Sequence, residues 1–489
     1  MFRGSIFVDP FISIGRISRR IYGHFIEHWG RCIYGGIWVG PNSSIPNING
    51  FRKDVIEAVR GIRASIVRWP GGNFSSQYHW LDGIGPRENR PRKLNLAWIT
   101  KEGAEIEINE FGTDEYIEWV RLIGAEPFIV VNMGNGSPEE AANWVEYCNS
   151  SKDTYFARLR VKYGHREPYN VKIWGLGNEQ WGWWQVGFTL SGEEYGRRAL
   201  EFANEMKRVD PSIELVAVGH DEDMEWNIDM LKMLKDYIDY LSIHTYIWPE
   251  NYSYEDFVAT SLLIEDKIRA VYSTIVYAKN RYGIKKDIKI AYDEWNVWYP
   301  EARDYPYIQI TSVKDAVWTA LFLNTLHKYS DHVKIANFAQ LVNSIALIIA
   351  RDDGSLLLTP QYLVFKLYTM HNARDVVKTV VESPSYISEK LGKVVDYIDV
   401  STLREDNILY IYIVNRSRDE EAEIDVHIKN LTPKAVEHLY IAGRSIDDKN
   451  TFDNPNNVEI ENNKEFSILG NTINVKLKPH SINMLKIYT

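Results

Sequence analysis

Between Ile21 and Phe338, eight short runs of β-branched and apolar residues alternate with longer amphipathic stretches, and this rhythm restricts the fold more than any other feature. The runs are Ile21–Glu27, Ala64–Trp69, Glu126–Asn132, Val171–Gly177, Ile213–Val218, Tyr240–His244, Asp287–Asp293 and Val333–Phe338. Several are continuously apolar, as in Pro127-Phe128-Ile129-Val130-Val131, the pattern of strands covered on both faces. Between them, Gly112–Gly124 carries Tyr116, Ile117, Val120 and Ile123 on one helical face. Ser137-Pro138-Glu139-Glu140 reads as an N-cap, a first-turn proline and a capping box, and Ser312-Val313-Lys314-Asp315 is a looser version of the same signal. Eight strands alternating with helices are expected to close into an α/β fold of the (β/α)8 TIM-barrel kind. An open doubly wound sheet would want a glycine-rich phosphate loop after its first strand, and the sequence has none there.

The rhythm changes near Asp375. From Lys393 onward come short alternating segments, Val395–Val400, Ile408–Val414, Ala422–Ile428, Ala435–Tyr440 and Ile473–Leu477, separated by Asn/Asp-rich turns. They predict an accessory antiparallel β-sandwich, jelly-roll-like. Ser5–Ile17 also reads as a strand but precedes the barrel, so the expected division is residues 18–375 for the barrel and 1–17 plus 376–489 for the sandwich. Gly71–Glu110, rich in Gly, Pro and Arg, reads as one long loop, and loops of that length inside a compact domain usually serve function.

Composition narrows the partners. A net charge of −10 and the lack of any basic run argue against nucleic acid. Asp9 and Pro10 interrupt the N-terminal apolar stretch before it could act as a signal, and the run Ile345–Ala350 is too short to cross a bilayer. A cytoplasmic protein without a membrane partner is expected. Two cysteines, Cys32 and Cys148, read as buried thiols rather than a disulfide framework. Scarce glutamine and cysteine, six and two residues, beside abundant Lys, Arg and Glu lean toward a heat-adapted source. The 16 Trp and 30 Tyr leave room for flat faces that suit sugar rings, although most must pack the core.

In a parallel barrel the chemistry sits where strands end and βα loops begin. The fourth run ends in Trp174-Gly175-Leu176-Gly177-Asn178-Glu179 and the seventh in Tyr292-Asp293-Glu294-Trp295-Asn296, so each brings a glutamate to the mouth. One strand-end glutamate could merely cap a helix or meet an arginine. Two facing carboxyls are the machinery of glycoside hydrolysis: one protonates the leaving oxygen and the other attacks the anomeric carbon. At a separation of about 5–5.5 Å no water fits between them and configuration is retained. In such a pair, like charges close together keep one carboxyl protonated.

These motifs resemble the large clan of retaining (β/α)8 glycosidases, and more narrowly glycoside hydrolase family 51, the α-L-arabinofuranosidases. The resemblance rests on Ile21–His28, Arg31–Gly36, Val67–Phe74, Asn109–Glu115, Glu139–Tyr147, Asp293–Tyr299 and Lys334–Asn343, which span the barrel from first strand to last. It implies Glu179 as acid/base and Glu294 as nucleophile. Asn178 would meet the sugar 2-hydroxyl, Arg68 would accompany Glu294, Tyr246 would donate to Glu294, and His244 would tune the proton of Glu179. Glu27, Asn73 and Gln340 would bind furanose hydroxyls, with Trp298 as an apolar wall. No metal or organic cofactor is implied, and His24, His28 and His244 are too sparse among the strand ends to suggest a metal set.

Three departures bear on substrate. Asn73 stands where many members carry cysteine. Gln180-Trp181-Gly182-Trp183-Trp184 replaces the usual Met-Asp-Gly-Pro-Trp, making Trp181, Trp183 and Trp184 candidates for the leaving-group side. The chain after Trp298 is short, which predicts a more open cleft. The leading expectation is an exo-acting α-L-arabinofuranosidase that releases arabinose from hemicellulose-derived oligosaccharides by double displacement. Its rivals are an endo- or exo-β-glycanase acting on xylan or β-glucan, and a catalytically dead carbohydrate-binding protein. The resemblance also implies a homo-oligomer, as large as a hexamer.

Overall fold

The computed structural model describes residues 1–489. Eight parallel strands form a closed barrel: Gly23–Phe25, Ile66–Trp69, Glu126–Val131, Ile173–Leu176, Glu214–Val218, Tyr240–Ile247, Lys289–Val297 and Val333–Ala339. All eight predicted runs are strands of this barrel. Its interior is packed by Ile66, Phe128, Val130, Ile173, Val216, Ala291 and Ile335, so the centre is a core and not a pore. At the opposite end from the strand C-termini, Arg20 ties two strands together, bonding Glu126 at 2.7 Å and Glu214 at 3.1 Å. Outside the barrel strands the helices pack into a continuous apolar layer that includes Trp69, Trp119, Trp144, Trp174, Trp295 and Trp318, all fully buried. This layer takes up much of the high tryptophan content.

Local signals act as read, with two adjustments. Thr113–Ile123 is a helix closed by Gly124 in the left-handed region, φ +78°. Ser137 caps Pro138–Asn149 by accepting from Glu140 N at 3.1 Å. The Glu140 carboxylate is drawn off to His79 at 2.9 Å, so only half of that predicted box forms. The full reciprocal pair occurs at Ser312, whose N–H donates to Asp315 at 2.7 Å. The sixth and seventh strands run on to Ile247 and Val297, past the predicted ends at His244 and Asp293. Their pairing continues through His244–Glu294 and Tyr246–Asn296. The functional side chains of these strands therefore stand on paired backbone.

Gly71–Glu110 is not one loop. It contains three short 3₁₀ turns and a β-hairpin, Lys93–Thr100 against Gly103–Glu107. Proline and glycine set the turns, while Leu94-Asn95-Leu96-Ala97-Trp98 supplies an alternation short enough to be hidden among the surrounding polar residues.

The C-terminal region forms a ten-stranded, largely antiparallel sheet that wraps a separate core of 17 residues, among them Ile6, Val400, Ile411, Ile424 and Val475, as a β-sandwich. Phe2–Arg16 lies inside that sheet, antiparallel to Asp375–Glu382 and parallel to Ala422–Ile428. Predicted Val395–Val400 is split into Val394–Asp396 and Ile398–Glu405. Strands Asp375–Glu382 and Ser481–Tyr488 were not predicted, because their alternation is broken by Lys378 and by the mixed run Ser481-Ile482-Asn483-Met484. Sandwich and barrel share a buried polar seam in which Asp399 meets Lys328 at 2.6 Å, Asn324 at 2.7 Å and Arg416 at 3.3 Å. Cys32 and Cys148 are both buried thiols. No helix is long and apolar enough to cross a membrane.

Candidate active site

A cleft of about 620 Å³ opens at the C-terminal end of the barrel strands. Glu179 and Glu294 face each other across it, with His244 between them. One carboxylate oxygen of each and one imidazole nitrogen all lie within 4.8 Å of one another. That spacing falls on the close side of the range that separates retaining from inverting pairs.

Glu294 is held at both oxygens. Arg68 Nη1 donates to Oε1 at 2.6 Å, and the Tyr246 hydroxyl donates to Oε2 at 2.7 Å. Arg68 comes from the second strand and is 1% exposed. Its Nη2 donates to Asn178 Oδ1 at 2.7 Å, and its Nε lies 3.2 Å from Asp293. Its guanidinium also covers the Phe25 ring at 4.7 Å. Asn178 keeps its NH2 group without a protein partner, opening on the cleft.

Asp293 joins the site in addition to the residues that the resemblance implies. Strict alternation would send Asp293 and Glu294 to opposite faces of the strand. Register irregularities between the sixth, seventh and eighth strands remove that alternation, and both carboxylates reach Arg68. Burial opposes the charge of Asp293, but Arg68 and His244 outweigh it and hold its carboxyl below the usual range. The adjacency of two acids at a strand end was the available signal.

His244 Nδ1 lies 2.8 Å from Glu179 Oε1 and 3.6 Å from Glu294, while Nε2 faces Asp293 at 3.4 Å and Ser242 at 3.2 Å. Burial disfavours its cation, yet Glu294, Asp293 and Glu179 together push its pKa up to about 10. Glu179 has φ +50°, a left-handed backbone that costs a non-glycine residue on the order of 1–3 kcal/mol. Gly177, at φ +84°, begins that turn. Such a turn aims the Glu179 side chain across the mouth instead of along the following loop.

The far wall holds Glu27. Its Oε1 accepts from Phe74 N and from Trp98 Nε1, both at 2.9 Å, and Gln340 Nε2 donates to Oε2 at 3.2 Å. Burial raises its pKa more than these donors lower it, and the nearby Glu294 adds to the rise, to about 7. Trp98, from the unpredicted hairpin, stacks on Trp29 at 4.2 Å. Gly71 and Gly72 make room: a Cβ at Gly71 would meet Glu27 Cγ at 2.5 Å, and one at Gly72 would sit 3.0 Å from Glu294 Oε1. The Pro70-Gly71-Gly72 run signalled that close approach. Trp298 lines the cleft, stacked on Trp248 at 5.4 Å. Asn73 is bound by the Gln185 amide.

The Glu179, His244 and Glu294 atoms have the spacing of a metal set, but Arg68 already places a cation 2.6 Å from Glu294. His24 and His28 take no part. His24 is buried against Phe365, and His28 bonds Glu107 at 2.8 Å.

Residues 58–261 match the alpha-L-arabinofuranosidase 1 domain, and residues 293–481 match the alpha-L-arabinofuranosidase C-terminal domain. The intracellular exo-alpha-(1->5)-L-arabinofuranosidase 1 of Bacillus subtilis (strain 168) is 35% identical over 506 residues, spanning 100% of this chain and 99% of that one. An alpha-L-arabinofuranosidase from Thermotoga maritima, solved as an arabinose complex, is 40% identical over 99% of this chain and 100% of its own, with a TM-score of 0.91. A family 51 alpha-L-arabinofuranosidase from Bifidobacterium longum is 30% identical over 100% of both chains, with a TM-score of 0.93. The chain belongs to glycoside hydrolase family 51, the α-L-arabinofuranosidases. In this family 51 chain the tryptophan-rich segment after Glu179 divides. Trp181 and Trp184 line the cleft, whereas Trp183 points away and is 81% exposed.

Proposed function

We propose that this α-L-arabinofuranosidase is an exo-acting, retaining enzyme that releases arabinose from hemicellulose-derived oligosaccharides. The observation that carries the reading is the pair Glu179 and Glu294, within 4.8 Å of each other and bridged by His244. Glu294 is the nucleophile. Arg68 and Tyr246 fix both of its oxygens, so the attacking carboxylate is oriented before substrate arrives. Glu179 is the acid/base, and the proton held between it and His244 Nδ1 passes to the departing oxygen. Glu294 then carries the arabinosyl group as an ester. Water, deprotonated by Glu179, releases the sugar with its configuration retained. Asn178 offers its free amide to the 2-hydroxyl, where a bond that tightens in the transition state accelerates both steps. Glu27, Asn73 and Gln340 bind the remaining furanose hydroxyls, and Trp298 walls the site.

A complete set of carboxylates, arginine, tyrosine and histidine speaks against a binding protein without activity. The relative from Bacillus subtilis is named intracellular, and we place this enzyme inside the cell acting on imported oligosaccharides. Pairing of Phe2–Arg16 within the sandwich sheet supports dividing the chain into a barrel of 18–375 and a sandwich of 1–17 plus 376–489. A homo-oligomer, up to a hexamer, is carried over from the family and is checked by light scattering. The activity is tested on aryl α-L-arabinofuranoside, β-D-xyloside and β-D-glucoside, with soluble xylan and β-glucan, wild type beside Glu294→Ala. Arabinofuranoside turnover should dominate and fall at least about a thousand-fold in the variant. Polymer cleavage with little arabinofuranoside turnover would replace the substrate and leave the mechanism standing.

A further inference from the structure

The chain holds two Asn-Gly pairs, Asn49-Gly50 and Asn135-Gly136, each with its asparagine exposed. Glycine has no Cβ to shield its nitrogen, so these are the places where a main-chain nitrogen most easily attacks the preceding side-chain amide. Three conditions help that attack. The glycine N–H must be free to lose its proton. A donor must meet the asparagine oxygen, where negative charge develops. The side-chain nitrogen must be free to leave. The two pairs differ on all three counts.

Asn135-Gly136 lies between the third barrel strand and helix Pro138–Asn149. Behind it, buried Asn132 accepts at Oδ1 from the N–H groups of Gly134 and Asn135, at 3.0 and 3.1 Å, and donates from Nδ2 to Tyr78 O at 3.2 Å. Two main-chain donors and a main-chain carbonyl fix which way round this amide lies. Its remaining N–H can only donate, and it meets Asn135 Oδ1 at 2.8 Å. Asn135 therefore turns its carbonyl oxygen to a fixed donor, while its Nδ2 and the Gly136 N–H have no protein partner. At the other pair, Gly50 N–H donates to Asn47 Oδ1 at 3.0 Å, and Asn47 Nδ2 is itself held by Ile45 O at 2.9 Å. Asn49 Nδ2 donates to Glu118 Oε1 at 3.0 Å, so the leaving nitrogen is tied and a carboxylate stands beside it.

We infer that Asn135 is a self-modification site, which passes through a cyclic imide to aspartate and isoaspartate, and that Asn49 is protected. The Gly136 nitrogen gives its proton to solvent base and bonds to Asn135 Cγ. The bond from Cγ to Nδ2 breaks, and ammonia leaves with a proton from water. Water then opens the imide at either carbonyl, giving aspartate or isoaspartate, so the net change is water gained and ammonia lost. Isoaspartate lengthens the main chain by one carbon, and this loop has no slack to take it up. Asn135 N–H donates to Ser76 O at 3.2 Å, and a Cβ at Gly134 would lie 1.8 Å from the same oxygen. Ser76 belongs to the 3₁₀ turn Asn73–Ser76 that brings Asn73 to the cleft. Its hydroxyl donates to Gln185 Oε1 at 3.0 Å, and Gln185 Nε2 donates to Asn73 Oδ1. The modification is therefore felt at a sugar-binding residue.

The test holds the whole protein at mildly alkaline pH, below its unfolding temperature, and follows both peptides by mass spectrometry with chromatographic separation of isoaspartate. The Asn135 peptide should gain the mass difference between water and ammonia at least about ten-fold faster than the Asn49 peptide, since one hydrogen bond speeds the first and another slows the second. Asn47→Ala, which frees the Gly50 N–H, should speed conversion at Asn49 about five-fold. Conversion at Asn135 no faster than at Asn49 would overturn the proposal. Asn135→Gln is the matched control: its exposed side chain keeps the amide but would need a larger, slower-forming ring. Over the same incubation kcat/KM for nitrophenyl arabinofuranoside should fall about five-fold or more in modified wild type, mainly through KM, and hold steady in Asn135→Gln. Equal losses in the two proteins would overturn the link from this loop to Asn73.

Discussion

Arg68 has no solvent to replace a lost partner: it is 1% exposed, and its nitrogens face Asp293, Glu294 and Asn178. Substituting Arg68→Met takes the guanidinium from two buried carboxylates and leaves His244 alone to offset their charge. Removing one partner of a buried ion pair usually costs about 3–5 kcal/mol. A urea titration should show a loss of that order together with a collapse in kcat, and a variant of unchanged stability would refute this account of Arg68. Glu27 and His244 make a separate prediction about pH. His244 is raised to about 10, so its contribution to stability is complete below its unfolded value of 6.5 and is lost as pH rises through 10. Glu27 is raised to about 7 from 4.5, so ionising it costs the folded state more than the unfolded one. Its contribution is complete below pH 4.5 and lost as pH rises through 7. Both act in the same direction, and Tm should decline from pH 5 to pH 8. Glu27→Gln cannot ionise, so its decline should be shallower, and parallel Tm curves would show that Glu27 does not titrate in this window. The site residues named by resemblance sit where the strand-end argument puts them because strand ends are readable from apolar runs. Asp293 and Ser242 were not legible, because a register irregularity, invisible in a pattern of period two, brings Asp293 to the same guanidinium as Glu294.

The β-hairpin Lys93–Thr100/Gly103–Glu107 shows what was hard to read at the scale of elements. Its strands are short, lie in a segment punctuated by Gly and Pro, and carry exposed Leu94 and Ile106 on one face. On the other face Asn95 reaches His28 O at 2.7 Å and Trp98 reaches Glu27. Only tertiary contacts reveal that this face belongs to the cleft. Trp98→Ala removes the N–H donor to Glu27 and the stack on Trp29. KM for an aryl arabinofuranoside should rise about ten-fold, with a smaller change in kcat, as expected for loss of a charge-assisted bond and an aromatic contact. Unaltered KM would confine the hairpin to a structural role. The barrel strands were legible for the opposite reason. Each is covered on both faces, so its apolar run is uninterrupted and needs no partner to be recognised.

Across the whole molecule, barrel and sandwich meet through groups that neither could leave unpaired. Asp399 sits among Lys328, Asn324 and Arg416 and is held ionised: burial opposes its charge, but Lys328 and Arg416 prevail. Asp399→Ala should lower the unfolding free energy by about 3 kcal/mol, while folded molecules keep their kcat, because the seam lies away from the cleft. A change in kcat without a change in stability would contradict that separation. The sandwich is legible in the shift to alternating segments near Asp375, whereas the position of Ser5–Ile17 before the barrel leaves its pairing partner open, and only the sheet register places it beside Asp375–Glu382. Strand order within the sheet was not foreseeable, since it depends on pairings between segments hundreds of residues apart.

The central claim is that Glu294 attacks the sugar. It is tested most directly by trapping the intermediate with a 2-deoxy-2-fluoro arabinofuranosyl donor bearing a good leaving group, followed by peptide mass spectrometry. The mass of one 2-deoxy-2-fluoro-arabinofuranosyl group per chain should appear on the peptide carrying Glu294, and Glu179→Ala should retain the label longer, because no base remains to activate water. Label on Glu179, or full turnover with inverted product and no labelled peptide, would contradict the account.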